Sequence, residues 1–402
     1  MEIVFFTDSY DPMHDGVAAV TGGLARTIAR LGHRVRVFTS DTKVGAPSRE
    51  EVVGGVTVRR IRSVPVPLYG QYRWPVFPFS LIREANGVRD ADVVHLHTPG
   101  PIGSMGFLSS RRFHRPLIGT FHTNIREMRE SVPQKFLVPT FFRIAWWYNL
   151  GTYLRCDLAT APSAAARDAL VGSSRKPFRH PVEVVPNGID TDLFRPGVRV
   201  PDWRTRCGLA DHPLLTYLGR LTVDKGVHRF LDAVASVART EEVVAIVGGT
   251  GPEELAVRAR IAGDPDLASR VRYVGPVAET EKAALLGQTD LFVLPSTSDT
   301  SSVALLEAMA CGATVVAPSS GGAAEVVEDD RTGRRVDVVD PAALSAAVRA
   351  LVAATDERRR LSIGASRWAH DHASLEAMAR RFITLYQMVG EERRARGERT
   401  AQ

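Results

Sequence analysis

The sequence predicts an α/β protein made of two doubly wound parallel sheets in tandem. Short apolar strands alternate with helix-length stretches, which is the pattern of strand–helix–strand units in a parallel sheet. The alternation runs through seven strand candidates, pauses in a linker near residues 187–204, and restarts with five more. At 402 residues the chain is too long for one ordinary core and suits two.

In order, the first half places strands at Glu2–Thr7, Val35–Thr39, Val56–Ile61, Val93–His97, Leu117–His122, Leu158–Ala161 and Val182–Val185. An amphipathic helix fills Val17–Leu31 and ends at Gly32. The second half repeats the pattern at Leu214–Leu218, Val243–Val247, Val271–Val274, Leu291–Leu294 and Thr314–Ala317. The domains expected are residues 1–190, 205–370, and a terminal piece 371–402 whose helix covers about Leu375–Val389. Glu391–Gln402, charged and without an apolar period, is expected to be disordered. Two such sheets imply a cleft, and ligands of open parallel sheets bind beyond the strands' carboxyl ends. The loops holding Gly16, His122, Gly219, Gly249 and Asp299 fall there.

Hydrophobic content of 44% and charged content of 24% suit a soluble globular protein. Cys156, Cys207 and Cys311 are scattered and show no metal or disulfide pattern, which fits a reducing cytoplasm. No run resembles a signal peptide or a spanning helix, so a cytoplasmic or peripheral protein is expected. The net charge of +6 is uneven: residues 1–195 hold 25 Lys and Arg against 17 Asp and Glu, leaving 26 against 28 for the rest. The basic half suits an anionic substrate or lipid surface; no nucleic-acid signature accompanies it.

The chemistry centres on residues 289–312, a buried strand ending at Pro295, a polar loop, and a helix closed by Gly312. Asp299 and Glu307 bracket the helix start, with Ser301, Ser302 and Val303 between them. Carboxylates grip sugar hydroxyls, and a helix N-terminus offers amides to a phosphate, so this segment suits a nucleotide sugar. An N-capping Asp299 and a solvated Glu307 are the plainer alternative. Gly219-Arg220 and Lys225-Gly226 put two cations in a single loop after a strand, a pattern suited to a diphosphate, with a pair of solvated charges as the alternative. Gly249 and Gly251 form a second Gly-rich turn that is not a P-loop. Asp190/Asp192 and Asp264/Asp266 have metal-binding spacing but sit in turns, so neither metal nor other cofactor is expected. His122 ends a strand and points to the cleft or is a satisfied core histidine; His95 and His97 are assigned to opposite sides of their strand.

Arg26, Arg30 and Arg34, spaced by four, make a basic helix stripe, Arg111, Arg112, His114 and Arg115 a second cluster, and Trp146 and Trp147 lie in an aromatic segment, Phe136–Leu154. Basic stripe plus aromatics suits docking on anionic lipid; a core helix and a solvated face are the alternative.

These motifs together resemble the retaining glycosyltransferases of family 4, with the GT-B arrangement of two Rossmann-like domains. The matching segments are Val185-Pro186-Asn187-Gly188-Ile189-Asp190, Gly219-Arg220, Lys225-Gly226, Gly249-Thr250-Gly251-Pro252, Pro295-Ser296 and Glu307–Gly312, with looser matches at Phe6–Tyr10, His14–Val17 and Gly119–Thr123. The looser segments look most like the branch that glucosylates diacylglycerol and its mannosyl-transferring relatives. The resemblance implies that Arg220 and Lys225 hold a donor diphosphate, Glu307 the ribose, and Asp299 the sugar, while His122 faces donor sugar and acceptor. It implies transfer with retention by front-face attack, from a UDP-glucose-like or GDP-mannose donor, and a last helix crossing back to the first domain. Family members commonly carry Glu where this chain has Asp299 and an aromatic-Gly pair where it has Ser301-Ser302, which shortens the grip and removes a residue free at positive φ. A soluble acceptor, an epimerase or phosphorylase on the same fold, and a nucleotide-binding regulator remain the competing readings. Oligomeric state is left open.

Overall fold

The computed structural model describes residues 1–13, 15–43, 47–66, 69–75, 86–122 and 138–401. His14 and Thr123, part of the looser family matches, and Phe136 lie outside the described residues. The chain forms two compact units, 1–125 with 139–188 and 375–402, and 126–138 with 189–374.

The first unit carries β1 (Glu2–Phe6), α1 (Gly16–Arg30), β2 (Arg34–Ser40), β3 (Arg49–Val53), β4 (Val56–Ile61), β5 (Ser63–Val66), β6 (Tyr69–Pro75), β7 (Val93–Leu96), α2 (Pro101–Arg112), β8 (Leu117–Thr120), α3 (Val138–Tyr153), β9 (Leu158–Ala161), α4 (Ala164–Gly172) and β10 (Glu183–Val184). Eight strands line up as β10-β9-β8-β7-β1-β2-β4-β3, parallel except for the β3–β4 pair. Central strands covered on both faces read as unbroken apolar runs, as in Ile3 to Phe6, all buried. Asp15 starts α1 by accepting from the amides of Val17 and Ala18, and the helix buries Ala18, Leu24 and Ile28.

The second unit carries α5 (Trp203–Cys207), β11 (Leu214–Leu218), α6 (Val227–Val237), β12 (Val244–Gly248), α7 (Glu254–Gly263), α8 (Pro265–Ala268), β13 (Val271–Gly275), α9 (Glu279–Leu286), β14 (Leu291–Val293), α10 (Val303–Ala310), β15 (Thr314–Pro318), α11 (Gly322–Val326), β16 (Arg334–Val336), α12 (Pro341–Ala353) and α13 (Thr355–His372). Its six strands run β13-β12-β11-β14-β15-β16, all parallel. The order reverses at β11, which makes the loops after β11 and β14 the binding crevice of this sheet. In the first sheet the reversal falls between β1 and β7. The second unit's chain starts and finishes side by side, since Ile189 N donates to Ala373 O at 2.8 Å.

The last helix, α14 (Leu375–Ala401), belongs to the first unit, where Tyr386 Oη reaches His95 Nδ1 at 2.8 Å and Met378 Sδ accepts from Gly188 N at 3.1 Å. It runs through residues 391–401, expected to be disordered. Arg393 ties that end to Asp157 at 2.6 Å, and Glu392 to His180 at 3.2 Å. Four further strands show no apolar run in the sequence. β3 and β16 are charge-rich edge strands, where one open side tolerates Arg and Glu, and β5 and β6 form a separate two-stranded hairpin.

Candidate functional site

In the second unit the predicted residues gather at the strand-order reversal. The loop after β11 carries Gly219, Arg220 and Lys225, and that after β14 carries Asp299, Ser301 and Ser302. Gly226 locks the first against the second: its φ is +74°, and a Cβ there would lie 2.1 Å from Pro295 O. Thr297 N donates to Asp224 O at 2.9 Å, closing the two loops further. Gly249, at φ +133°, lies so close to Gly219 that a Cβ would meet Gly219 O at 1.8 Å, and a Cβ on Gly251 would meet Leu221 O at 2.3 Å.

Lys225 Nζ donates to Ser298 O at 2.6 Å and pairs with Asp299 Oδ1 at 3.0 Å. The pair is mostly buried, at 16% and 13% side-chain exposure, so it is weakly screened. Arg220 stands beside it, more exposed, 3.9 Å from the buried Asp224. Asp299 is not the helix cap: Ser302 is, its Oγ accepting from Leu305 N at 3.4 Å. With φ at −84°, Ser302 needs no glycine, so the departure from an aromatic-Gly pair costs no backbone strain here.

Glu307 is buried on α10 rather than solvated. Its Oε1 accepts from Lys282 Nζ of α9 at 2.6 Å, and Lys282 lies over the Phe194 ring at 5.2 Å. Burial pushes the carboxyl up and Lys282 pulls it back. Asp299 Oδ2, Glu307 Oε2 and Thr222 Oγ1 are buried without a hydrogen-bond partner among the described residues. Orphaned oxygens in a crevice can accept a ligand's hydroxyls. Lys282 was not legible in the sequence, where it is a lone cation in an ordinary helix.

Asp190 Oδ1 accepts from the amides of Asp192 and Leu193, and Asp264 caps α8, so both Asp-x-Asp pairs act as turn and cap residues.

In the first unit His122 follows β8 and is buried, which takes its imidazole down to about 4. Its Nε2 lies 3.1 Å from His97 Nδ1. His95 and His97 share one face, correcting the expectation of opposite sides: their rings are 4.0 Å apart, and both contact Phe5. Side chains two apart on an extended chain point the same way. Burial also holds His95 and His97 well below the ordinary histidine range. His95 is spent structurally, on Tyr386 Oη and on Thr120 Oγ1 at 2.7 Å. Beside them Asp8 is buried; Thr98 and the Ile102 amide bond it, and desolvation pushes its carboxyl to about 6. Gly16 opens α1 and is exposed.

The expected surface residues divide. Trp146 is 6% exposed and packs edge-on against Phe121 in the core, so it does not belong to a docking surface. Trp147 is 75% and Ile144 60% exposed on α3. Tyr148 Oη bonds Ser104 Oγ of α2 at 2.6 Å, which sets Leu108 of α2 on the same exposed surface. Arg111 and Arg112 end α2 over the rings of Phe107 and Phe113. Arg34 opens β2 and so leaves the expected helix stripe; Arg26 is held by Asp11 at 2.6 Å and Arg30 by Thr27 at 3.1 Å, so the rest of the stripe is tied into its own unit.

Comparison with known proteins adds to this geometry. Residues 14–193 match the model "Glycosyltransferase Family 4", and residues 212–354 match "Glycosyl transferases group 1". A "D-inositol 3-phosphate glycosyltransferase" of Nocardioides sp. is 32% identical over 93% of this chain and 84% of its own. A "GDP-mannose-dependent alpha-mannosyltransferase" of Mycolicibacterium smegmatis is 29% identical over 91% and 92%, and an "Alpha-monoglucosyldiacylglycerol synthase" of Streptococcus pneumoniae 27% over 83% and 74%. Among solved structures, sucrose-phosphate synthase of Thermosynechococcus elongatus superposes with a TM-score of 0.79 at 21% identity, covering 97% of this chain and 99% of its own.

Proposed function

The chain belongs to glycosyltransferase family 4, and on that premise we propose that it moves a hexosyl group from a nucleoside-diphosphate sugar to a hydroxyl of a lipid-linked or amphiphilic acceptor, retaining the anomeric configuration. The observation that carries this reading is the buried Lys225–Asp299 pair, 3.0 Å long, between the two loops where the second sheet's strand order reverses. A cation and a carboxylate side by side suit a ligand that is anionic at one end and hydroxylated at the other.

On this reading Arg220 and Lys225 take the diphosphate, the idle Glu307 Oε2 accepts from ribose hydroxyls, and Asp299 Oδ2 accepts from the sugar. Ser302 and Val303 present the start of α10 to phosphate oxygens. The acceptor oxygen bonds to the anomeric carbon on the face that the phosphate leaves. The bond from that carbon to the phosphate oxygen breaks, and the acceptor's proton passes to the departing oxygen. The protein aligns the partners and stabilises charge. Arg220 and Lys225 supply positive charge themselves, so we propose turnover without a metal; a rate unchanged by chelator is expected.

The test is thermal shift with UDP-glucose, UDP-N-acetylglucosamine, GDP-mannose, UDP and GDP, in the wild type, Glu307→Ala and Lys225→Ala. A ligand binding only the native state raises its melting temperature. One nucleotide should stabilise the wild type and neither variant; none doing so at millimolar concentration would sink the reading.

For the acceptor, the exposed Trp147, Ile144 and Leu108 beside Arg111 and Arg112 favour an anionic lipid surface. The name of the Nocardioides relative, a D-inositol 3-phosphate glycosyltransferase, favours a soluble phosphorylated polyol instead. Salt-sensitive co-sedimentation with anionic vesicles supports the first and its absence the second. No helix among the described residues is long and apolar enough to cross a membrane.

A further inference from the structure

The protons on two neighbouring imidazoles decide what His122 can do. His97 Nδ1 and His122 Nε2 are 3.1 Å apart, a hydrogen bond in which one ring supplies the proton. His97 is 1% exposed, and its Nε2 is buried with no hydrogen-bond partner among the described residues. Phe5 walls it at 4.5 Å and His95 at 4.0 Å, and His95 has both its nitrogens engaged elsewhere. Burial keeps His97 and His122 neutral near pH 7, so each ring carries one N–H.

Two arrangements fit that count. If His122 donates from Nε2, His97 must hold its own proton on Nε2, an N–H sealed away from any acceptor. If His97 donates from Nδ1, its Nε2 is only an idle lone pair, and the proton of His122 sits on Nδ1. Buried donors without acceptors are the rarer defect in folded proteins, so the second arrangement wins.

We infer that His97 is a positioning residue that fixes His122 as its Nδ1–H tautomer, in which the one ring lone pair of His122, on Nε2, is taken up by His97 and does not accept a proton. The inference rests on the proposed glycosyl transfer and on the family resemblance by which His122 faces sugar and acceptor, and it deepens that reading. His122 does not act as the base; the acceptor's proton leaves with the departing phosphate oxygen.

The experiment labels the full-length chain with ¹⁵N-histidine and reads ring protonation from two-bond ¹H–¹⁵N correlations at neutral pH, with His97→Asn and His122→Gln for assignment. A protonated-type signal at His122 Nδ1 and lone-pair-type signals at His122 Nε2 and His97 Nε2 are expected. A protonated-type signal at His122 Nε2 overturns the inference. Kinetics then separate the role from simple packing. His97→Asn keeps an amide N–H near the place of Nδ1 and should hold the His122 pattern and the transfer rate. His97→Leu should move the proton to Nε2 and lower kcat about tenfold, the worth of one hydrogen bond. Equal losses in both variants, with the pattern unchanged, also overturn it. A wild type with the expected ring signals but no transfer from any donor sinks the functional reading and leaves the tautomer standing.

Discussion

The two units bury polar groups in opposite ways. In the second, the crevice groups are charged and paired across elements, Lys225 with Asp299 and Lys282 with Glu307. In the first they are neutral: Tyr386 of α14, His95, Thr120 and Thr160 form one chain of hydrogen bonds, and His97 and His122 form a separate pair whose His97 ring packs on His95. Paired charges offer strength without much direction and suit a diphosphate. Neutral rings and hydroxyls offer direction without net charge and suit sugar hydroxyls, whose recognition depends on where each proton lies.

The largest effect that would sharpen this contrast is kinetic. Lys225→Ala should cut kcat/KM about a thousandfold, as losing a buried group that meets developing charge does. A loss under tenfold in steady-state assays would mean that charge is not what the second unit contributes.

Next comes stability. Lys282→Met leaves Glu307 buried and unpaired and should cost about 3 kcal/mol in urea unfolding, while Lys282→Met with Glu307→Gln should recover most of it. Failure to recover would show that Lys282 matters for packing over Phe194 instead.

Acid should separate the units at a similar magnitude. The first unit's histidines have folded pKa values below their unfolded ones, so their stability is present above about pH 6.5 and is lost as pH falls. For His122, shifted from 6.5 to about 4, the loss across that window is about 3 kcal/mol. Asp8 runs the other way, from 3.8 to about 6; it is stabilising at low pH and loses that contribution as pH rises toward 6, so it offsets part of the acid loss. Glu307 is raised too and is not weakened by acid. Hydrogen exchange from pH 7 to 5 should deprotect β7 and β8 before β11 and β14; simultaneous loss breaks the comparison.

The smallest effect concerns neighbouring tryptophans. Trp147→Ala should change stability by less than about 0.5 kcal/mol while reducing vesicle binding, whereas Trp146→Ala should cost about 3 kcal/mol without touching exposed surface. Equal vesicle binding by wild type and Trp147→Ala removes the lipid-surface proposal.

Much of this was legible in the residues. Every strand read from an apolar run is present, because strands buried on both faces must be apolar throughout. The loops of the second unit could be located because glycines follow the apolar runs at the strands' ends. What the sequence hid depends on partners distant in the chain. Lys282 gains meaning only from Glu307, 25 residues on, and His95 only from Tyr386, 291 residues on. The tail looked disordered because its helix is held by side-chain contacts to Asp157 and His180, which composition does not reveal. Trp146 and Trp147 are the same residue type side by side, and only the helix phase set by Phe121 tells core from surface.

The bridge from Ile189 N to Ala373 O has an engineering consequence. The second unit is, for residues 189–374, one uninterrupted insertion whose two junctions lie next to each other. Insertions with adjacent ends are the ones a host fold tolerates best. Exchanging this single cassette between relatives therefore needs only two neighbouring splice points. On the proposed function, such chimaeras would transplant donor choice while the first unit, including the terminal helix, stays as it is.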